Sequence, residues 1–427
     1  MTEPQYMSHV TIRGITRRYY GVWWGYAFAG GFLFGVYPLF LRSRGLTQFQ
    51  INSVLATYFA VTFLTDVPTG AFADALGRRK SFLLGCAIRA AAFTLYFFAH
   101  RYVVFLIAES IDGVGTTFCN GAIDAWGVDA LDNAGFVEVK DRLFSRISQL
   151  STIGFMASSV IGAYVGNVNL AWPWLLGAAG YVLSGALGGL LMTGEKPPAG
   201  PVLLKQLAGQ ISGRVADGLR QGFSRRTILL LSAAGALQVA AWSSYWLEWP
   251  LFFNDSYGVG VWIIGWLWSL FAIGRMIGAE AVARAKSEEG SRAAILSTLM
   301  VATGVLLFAA GTAGARPNLV LAILFLMNLG TGAIQPLAQS WLNEEVASGQ
   351  RATLLSFNST FATMGGSLGL LLGGWVADAF GIGVGWQVAG LILLGSAPCY
   401  WALRPRAVVP AIAARAADQA AGSQAGR

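Results

Sequence analysis

Tyr37-Pro38-Leu39-Phe40 closes the first hydrophobic run of the chain, and Trp249-Pro250-Leu251-Phe252 closes another 212 positions later. Working outward, Ile51 falls on Ile263 at the same offset. Trp126 falls on Trp341 and Asp129 on Glu344 at 215, and Gly162 on Gly373 at 211. These offsets lie close to half the length of the 427-residue chain, which is 55% hydrophobic and only 12% charged. A duplication on this scale, in a chain this apolar, reads as a membrane protein of two related halves with a small-molecule site between them.

A soluble chain of this length carries about a quarter of its residues as charges. Here the charge is half that and the mean hydropathy is +0.57. Fifteen Trp and 54 Gly suit membrane helices, where Trp anchors at the interfaces and Gly allows close packing. Cys86, Cys119 and Cys399 all lie inside hydrophobic runs, an odd number without metal-ligand spacing, so neither a disulfide framework nor a metal site is expected. The first run is too long for a cleavable signal peptide. No Gly-x-x-x-x-Gly-Lys-Ser/Thr run suggests ATP drive, and no nucleophile–His–acid constellation suggests an enzyme. No cofactor is expected.

A membrane span needs about 20 mostly apolar residues. Twelve runs qualify: 19–41, 48–73, 81–99, 102–125, 145–166, 172–192, 227–253, 258–283, 293–313, 318–341, 352–376 and 385–403. The expected architecture is therefore all-helical, with bundles at 1–192 and 227–403. An even number of spans puts both termini on one side. Loops on that side carry Arg13, Arg17, Arg18, Arg78, Arg79, Lys80, Lys140, Arg142, Arg146, Arg284, Lys286, Arg292, Arg351, Arg404 and Arg406. The opposite loops carry only Arg42, Arg44, Arg101 and Arg316. This asymmetry predicts cytoplasmic termini in a multi-pass protein of the cell (inner) membrane. It also spreads the net charge of +8 along anionic lipid, not on a face that grips nucleic acid.

Residues 193–226 join the halves. Leu203, Leu207, Ile211, Val215, Leu219 and Phe223 recur every four residues, with Lys205, Arg214 and Arg220 between them. That pattern predicts an amphipathic helix lying on the membrane surface. The Ala-rich tail, 404–427, reads as disordered.

Asp66-Val67-Pro68-Thr69-Gly70-Ala71-Phe72-Ala73-Asp74-Ala75-Leu76-Gly77-Arg78-Arg79-Lys80 resembles the loop 2–3 signature of the major facilitator superfamily, in which Gly70, Asp74, Gly77, Arg78 and Arg79 match and Ala75 departs. Asn120-Gly121-Ala122-Ile123-Asp124-Ala125-Trp126-Gly127-Val128-Asp129 and Arg351-Ala352-Thr353-Leu354-Leu355-Ser356 are similar to segments of its bacterial drug-exporter-like branch. The resemblance implies two pseudo-symmetric six-helix bundles moving by alternating access. It implies that Asp66, Gly70, Asp74, Gly77, Arg78 and Arg79 form a gate. The alternative for this loop is a basic anchor with turn glycines. Two departures weaken an inherited antiport: 145–166 has Gly154, Gly162 and Gly166 without a Pro, and 102–125 carries Glu109 and Asp112 where many antiporters have Arg.

Ionisable groups inside a membrane cost about 2.5–3.5 kcal/mol or more at a helix centre, so each needs a reason. Glu109 and Asp112 share one face of their span and are candidate proton carriers. Arg89 lies at a matching depth, so a structural Arg89–Asp112 pair is the alternative. Asp124 either gates or joins a cytoplasmic network with Arg142 or Arg146. Arg275 either meets an anionic group of a substrate or pairs with Glu280. Glu248 is either a carboxylate of the cavity mouth or interfacial. Tyr37, Trp242, Tyr245 and Trp246 are candidate stacking walls for large, apolar or cationic ligands. These residues favour proton-coupled export of a small amphipathic compound or drug by a monomer. Metabolite uptake or facilitation by the same fold, and a non-transporting membrane sensor or scaffold, remain the alternatives.

Overall fold

A computed structural model describes residues 3–135, 141–193, 222–284, 292–314, 316–344 and 351–403. Among them the chain is helical throughout, without strands. The helices are α1 Glu3–Gly31, α2 Tyr37–Ser43, α3 Gln48–Leu76, α4 Arg78–Phe98, α5 Tyr102–Asn133, α6 Asp141–Val168 and α7 Trp172–Leu191. There follow α8 Arg226–Tyr257, α9 Val261–Arg284, α10 Arg292–Thr312, α11 Pro317–Glu344, α12 Arg351–Phe380 and α13 Ile382–Trp401. Ten of these, α3–α5 and α7–α13, are long and apolar enough to cross a membrane. The two other expected spans fall on α1 with α2 and on α6, which pack on each other and on the rest.

The first span is not one helix. Residues 32–36 form turns between α1 and α2, with the Tyr37 amide donating to the Leu33 carbonyl at 2.7 Å. Gly30 and Gly31 weaken the helix there. Pro38 supplies the pre-set φ that starts the next one. At the repeat position, Pro250 lies inside unbroken α8. The Pro therefore marks the repeat without dictating the same break. The predicted amphipathic helix lies outside the described residues except at its end, where Phe223 meets Phe357 at 5.5 Å and Phe361 at 5.8 Å. The tail beyond residue 403 also lies outside them.

The repeat reappears in the packing. Contacts α1·α6, α1·α7, α3·α5, α4·α5 and α4·α7 have counterparts in α8·α12, α8·α13, α9·α11, α10·α11 and α10·α13. Individual residues follow. Phe40 packs on Trp174 with ring centres 5.3 Å apart, and Phe252 packs on Trp386 at 4.4 Å. A Cβ on Gly162 would strike the Phe32 carbonyl, and one on Gly373 would strike Ser244, each pair being shifted by 211 and 212 positions. Close approach of backbones without Cβ atoms is the use of Gly in membrane helix packing.

The two sets of helices meet through α3·α12 and α6·α9. Successive spans alternate in direction, so the first, α1 continued by α2, begins at one face, here called terminal, and α3 begins at the opposite, distal face. The distal side is sealed. The Asp378 carboxylate at the end of α12 accepts from the first amides of α3, Gln48 at 2.7 Å and Phe49 at 2.9 Å. A carboxylate at a helix N-terminus satisfies orphan N–H groups and meets the positive end of the dipole. One turn deeper, Asn52 donates to Ser244 Oγ at 3.1 Å and to the Leu370 carbonyl at 2.9 Å, which ties α3, α8 and α12 together. On the α6·α9 side, Gly265 abuts Val160 and Ala163.

Candidate functional site

Below the distal seal two adjoining cavities share Ala27 and Phe155. The first, about 400 Å³, lies mainly among α1, α4, α5 and α7 and is lined by Tyr26, Tyr37, Tyr58, Arg89, Glu109, Asp112, Trp174, Tyr181 and Trp246. The second, about 640 Å³, lies among α6, α9 and α11 and includes Ser151, Thr152, Trp268, Arg275, Thr331, Gln335 and Gln339. Its α6, α9 and α11 residues extend into the terminal-side halves of those helices, away from the seal. Phe34, from the break between α1 and α2, forms the aromatic partition. Its ring lies 4.1 Å from Trp268, 5.2 Å from Phe155 and 5.9 Å from Trp246.

Charges in the first cavity are arranged unequally. Arg89 donates through Nε to Asp112 Oδ1 at 2.8 Å and through Nη2 to Oδ2 at 3.0 Å, a bidentate pair. Its third nitrogen donates to the Tyr26 hydroxyl at 2.7 Å, and its plane lies 4.3 Å from the Tyr181 ring. Gly115 permits this: a Cβ there would strike the Arg89 side chain, and Gly85 lets α4 and α5 approach. Glu109 is 5% exposed, one turn from Asp112 on the same face of α5. Its carboxylate accepts from the Tyr96 hydroxyl, which stacks on Trp174 at 3.9 Å. Among the described residues no cation lies within ion-pairing distance of Glu109. The cavity wall thus holds one neutralised ion pair and one carboxyl group whose hydrogen-bond partner is itself neutral.

The second cavity holds the opposite charge. Arg275 sits roughly 21 Å along α9. Gly332 and Gly278 bring α9 and α11 backbones together there; a Cβ on Gly332 would strike the Arg275 carbonyl. The guanidinium lies 4.4 Å from the Trp268 ring and 4.7 Å from the Trp246 ring. Nη1 donates to Asn328 Oδ1 at 2.8 Å, and Asn328 donates to the Tyr245 hydroxyl at 3.3 Å. Glu280 does not meet Arg275. It pairs with Arg284 at 2.7 Å on an exposed surface.

Other expected residues lie elsewhere. Trp246 and Tyr37 line the first cavity. Trp242 and Tyr245 stand behind the wall, buried and edge-to-face at 5.4 Å, and line neither cavity. Glu248 is neither interfacial nor at the cavity mouth. It is wholly buried in the distal seal, where it accepts from Ser244 and packs against Gly373 and Gly385. Asp124 is exposed and accepts from Tyr19 at 2.8 Å and Trp23 at 3.0 Å of α1; the Arg142 side chain lies outside the described residues. Of the loop motif, Gly77 has φ +105° between α3 and α4, a geometry that favours Gly. Asp74 pairs with Arg78, and Asp66 and Arg79 are exposed. The side chains at 351–353 and 355–356, of the second drug-exporter-like segment, lie outside the described residues.

Trp174, Trp268, Asn328, Asn52 and Asp378 are functional candidates that sequence reasoning missed. A signal existed for Asp378: Gly374 and Asp378 repeat the spacing of Gly70 and Asp74. Nothing local marked the others.

The family model described as Major Facilitator Superfamily matches residues 22–286 and 231–423. The chain belongs to the major facilitator superfamily. Within it, the chain is 24% identical over 379 residues to the multidrug resistance protein MdtH of Cronobacter sakazakii, covering 86% of this chain and 89% of that one. It is 20% identical over 373 residues to the uncharacterized MFS-type transporter YxaM of Bacillus subtilis, covering 86% and 90%. The crystal structure of the nucleoside transporter NupG superposes with a TM-score of 0.74 at 14% identity, covering 91% and 98%. The superfamily and fold identify a multi-pass membrane transporter of small molecules.

Proposed function

We propose that this transporter exports a small amphipathic organic compound by alternating access, in exchange for protons. Glu109 carries the reading: it is the cavity carboxyl left without a cation while Arg89 neutralises Asp112. A group of this kind can load a proton from one side and release it to the other without an ion pair to break. Asp112 then holds Arg89 in place, and the Tyr96–Trp174 stack orients Glu109. Two six-helix bundles, 1–192 and 227–403, rock about the cavities, and the 66–80 loop acts as the gate at the terminal face. The Lys/Arg asymmetry supports a cytoplasmic position for that face and both termini, and the second cavity, extending away from the seal, then reads as inward-facing. Likeness to the protein named MdtH supports export of drug-like compounds.

The test is proton movement in liposomes containing purified protein, wild type against Glu109→Gln, with a panel of hydrophobic cations, anions and metabolites. Substrate-triggered proton movement that Glu109→Gln abolishes is the expected result, and its sign distinguishes antiport from symport. Substrate movement without proton flux in the wild type would leave a facilitator and end the coupling claim. Uptake of a polar metabolite is the second reading, favoured by the polar lining at Gln335 and Gln339.

A further inference from the structure

We infer that Arg275 is the anchoring subsite for an organic anion: the transported compound carries a carboxylate, or a like anionic group, on an apolar body. The inference rests on the transport reading above and names the substrate class of its cavity.

A guanidinium inside a membrane protein needs a counter-charge or a reason to lack one. Arg89, in the neighbouring cavity, shows the ordinary solution, a bidentate carboxylate. Arg275 has none among the described residues. Its hydrogen-bond partner is Asn328 Oδ1, a neutral amide that uses Nη1 alone. Two indoles hold it at 4.4 and 4.7 Å. Stacking offsets part of the charge and stiffens the side chain, but it consumes no N–H donor. The remaining donors are left to a partner from the cavity that Arg275 lines.

A planar guanidinium set in the corner between two indoles 77° apart, with its fork available, matches a carboxylate bidentately. Packing in that corner also orders the side chain before any ligand arrives, which lowers the cost of binding. The surrounding wall suits the rest of such a molecule. Phe155, Met276 and Pro336 offer apolar surface, and Thr331 and Gln339 offer hydrogen bonds. A cationic compound meets the wrong sign here. A neutral one leaves the guanidinium without a counter-charge. The clamping Trp246 also lines the cavity that holds Glu109, so a bound anion is one aromatic wall away from the proposed proton carrier. The site therefore discriminates by charge at one end of an amphipathic molecule and tolerates variation at the other.

The test uses three probes with one apolar body: 4-phenylbutyrate, 4-phenylbutan-1-ol and 4-phenylbutylamine. Each is titrated into the purified full-length protein while tryptophan fluorescence is recorded, because the ligand would sit against the clamping indoles. The expected result is saturable binding of the carboxylate, weakened at least about tenfold by Arg275→Gln and less by Arg275→Lys, which keeps the charge but not the fork. Binding of the alcohol and amine should be weaker and indifferent to Arg275→Gln. Equal binding of all three overturns the proposal. So does tighter binding of the amine, carboxylate binding unchanged in Arg275→Gln, or no saturable response to the carboxylate at millimolar concentration. Competition by anionic phospholipid added to the detergent would overturn it in favour of a lipid headgroup site. Thermal unfolding of the ligand-free variants separates lost binding from lost folding. Carboxylate binding that depends on Arg275, without uptake or efflux in liposomes, would remove the transport reading and leave the subsite standing.

Discussion

Arg89 and Asp112 meet through two hydrogen bonds of 2.8 and 3.0 Å, and this pairing leaves Glu109, one turn away, without a cation among the described residues. The consequence for stability is asymmetric. Removing one partner of a buried pair strands a charge, at a cost of about 3–5 kcal/mol, whereas replacing both with apolar residues can be neutral. Asp112→Ala should therefore lower the unfolding temperature in detergent sharply. Arg89→Met with Asp112→Leu should recover most of the loss. Failure of the double variant to recover would show that the pair does more than neutralise itself.

Glu109→Gln keeps the shape of the side chain and a hydrogen-bond acceptor for Tyr96. Folding and substrate binding should persist, while substrate-driven proton movement disappears. Counterflow, in which labelled and unlabelled substrate exchange without net proton transfer, should survive. Loss of counterflow together with proton movement would place Glu109 in substrate binding or in the conformational step.

The distal seal depends on Asp378 capping α3. Losing such a cap costs about 0.5–2 kcal/mol, equivalent to roughly a 2- to 30-fold shift in a two-state equilibrium. Asp378→Ala should move the population toward opening at the distal face. A cysteine placed at Leu55, which lines the first cavity below the seal, in a Cys-free background should then react faster with a membrane-impermeant thiol reagent applied from that side. Unchanged reactivity would mean that the Asn52 and Glu248 cluster holds the seal alone.

The two packing glycines of the repeat can be set against a third that packs on nothing. A methyl at Gly162 collides with the Phe32 carbonyl, while Gly121 has no atom within 4 Å of the corresponding position. Gly162→Ala should destabilise by about 1–3 kcal/mol through overpacking. Gly121→Ala should be neutral or stabilise by about 0.5–1 kcal/mol through helix propensity. Thermal unfolding of the two variants distinguishes close packing from mere glycine content.

Depth along a span was legible in the chain. Arg89 and Asp112 could be matched because rise per residue is constant in a helix. Rotation was not legible. Tyr245 and Trp246 are consecutive and point about 100° apart, and Trp246 reaches a cavity while Tyr245 does not, because the helices packed around α8 decide which stripe of it faces inward. Trp242 shares the stripe of Trp246 but lies one turn outside the lining. Glu248 went astray for the same reason: its distance from the end of α8 suggested an interface, and α3, α12 and α13 bury it.

Composition, the 212-residue repeat and the 66–80 signature by themselves determined a helical membrane protein of duplicated design, because hydrophobic length and spacing are properties of the chain alone. Only the tertiary structure decided which charges meet. Asp112 lies 23 positions from Arg89, and Asp378 lies 330 from Gln48. Such contacts depend on how whole helices turn toward one another, so it took the packed molecule to neutralise Asp112 and, among the described residues, to leave Glu109 and Arg275 without partners of opposite charge.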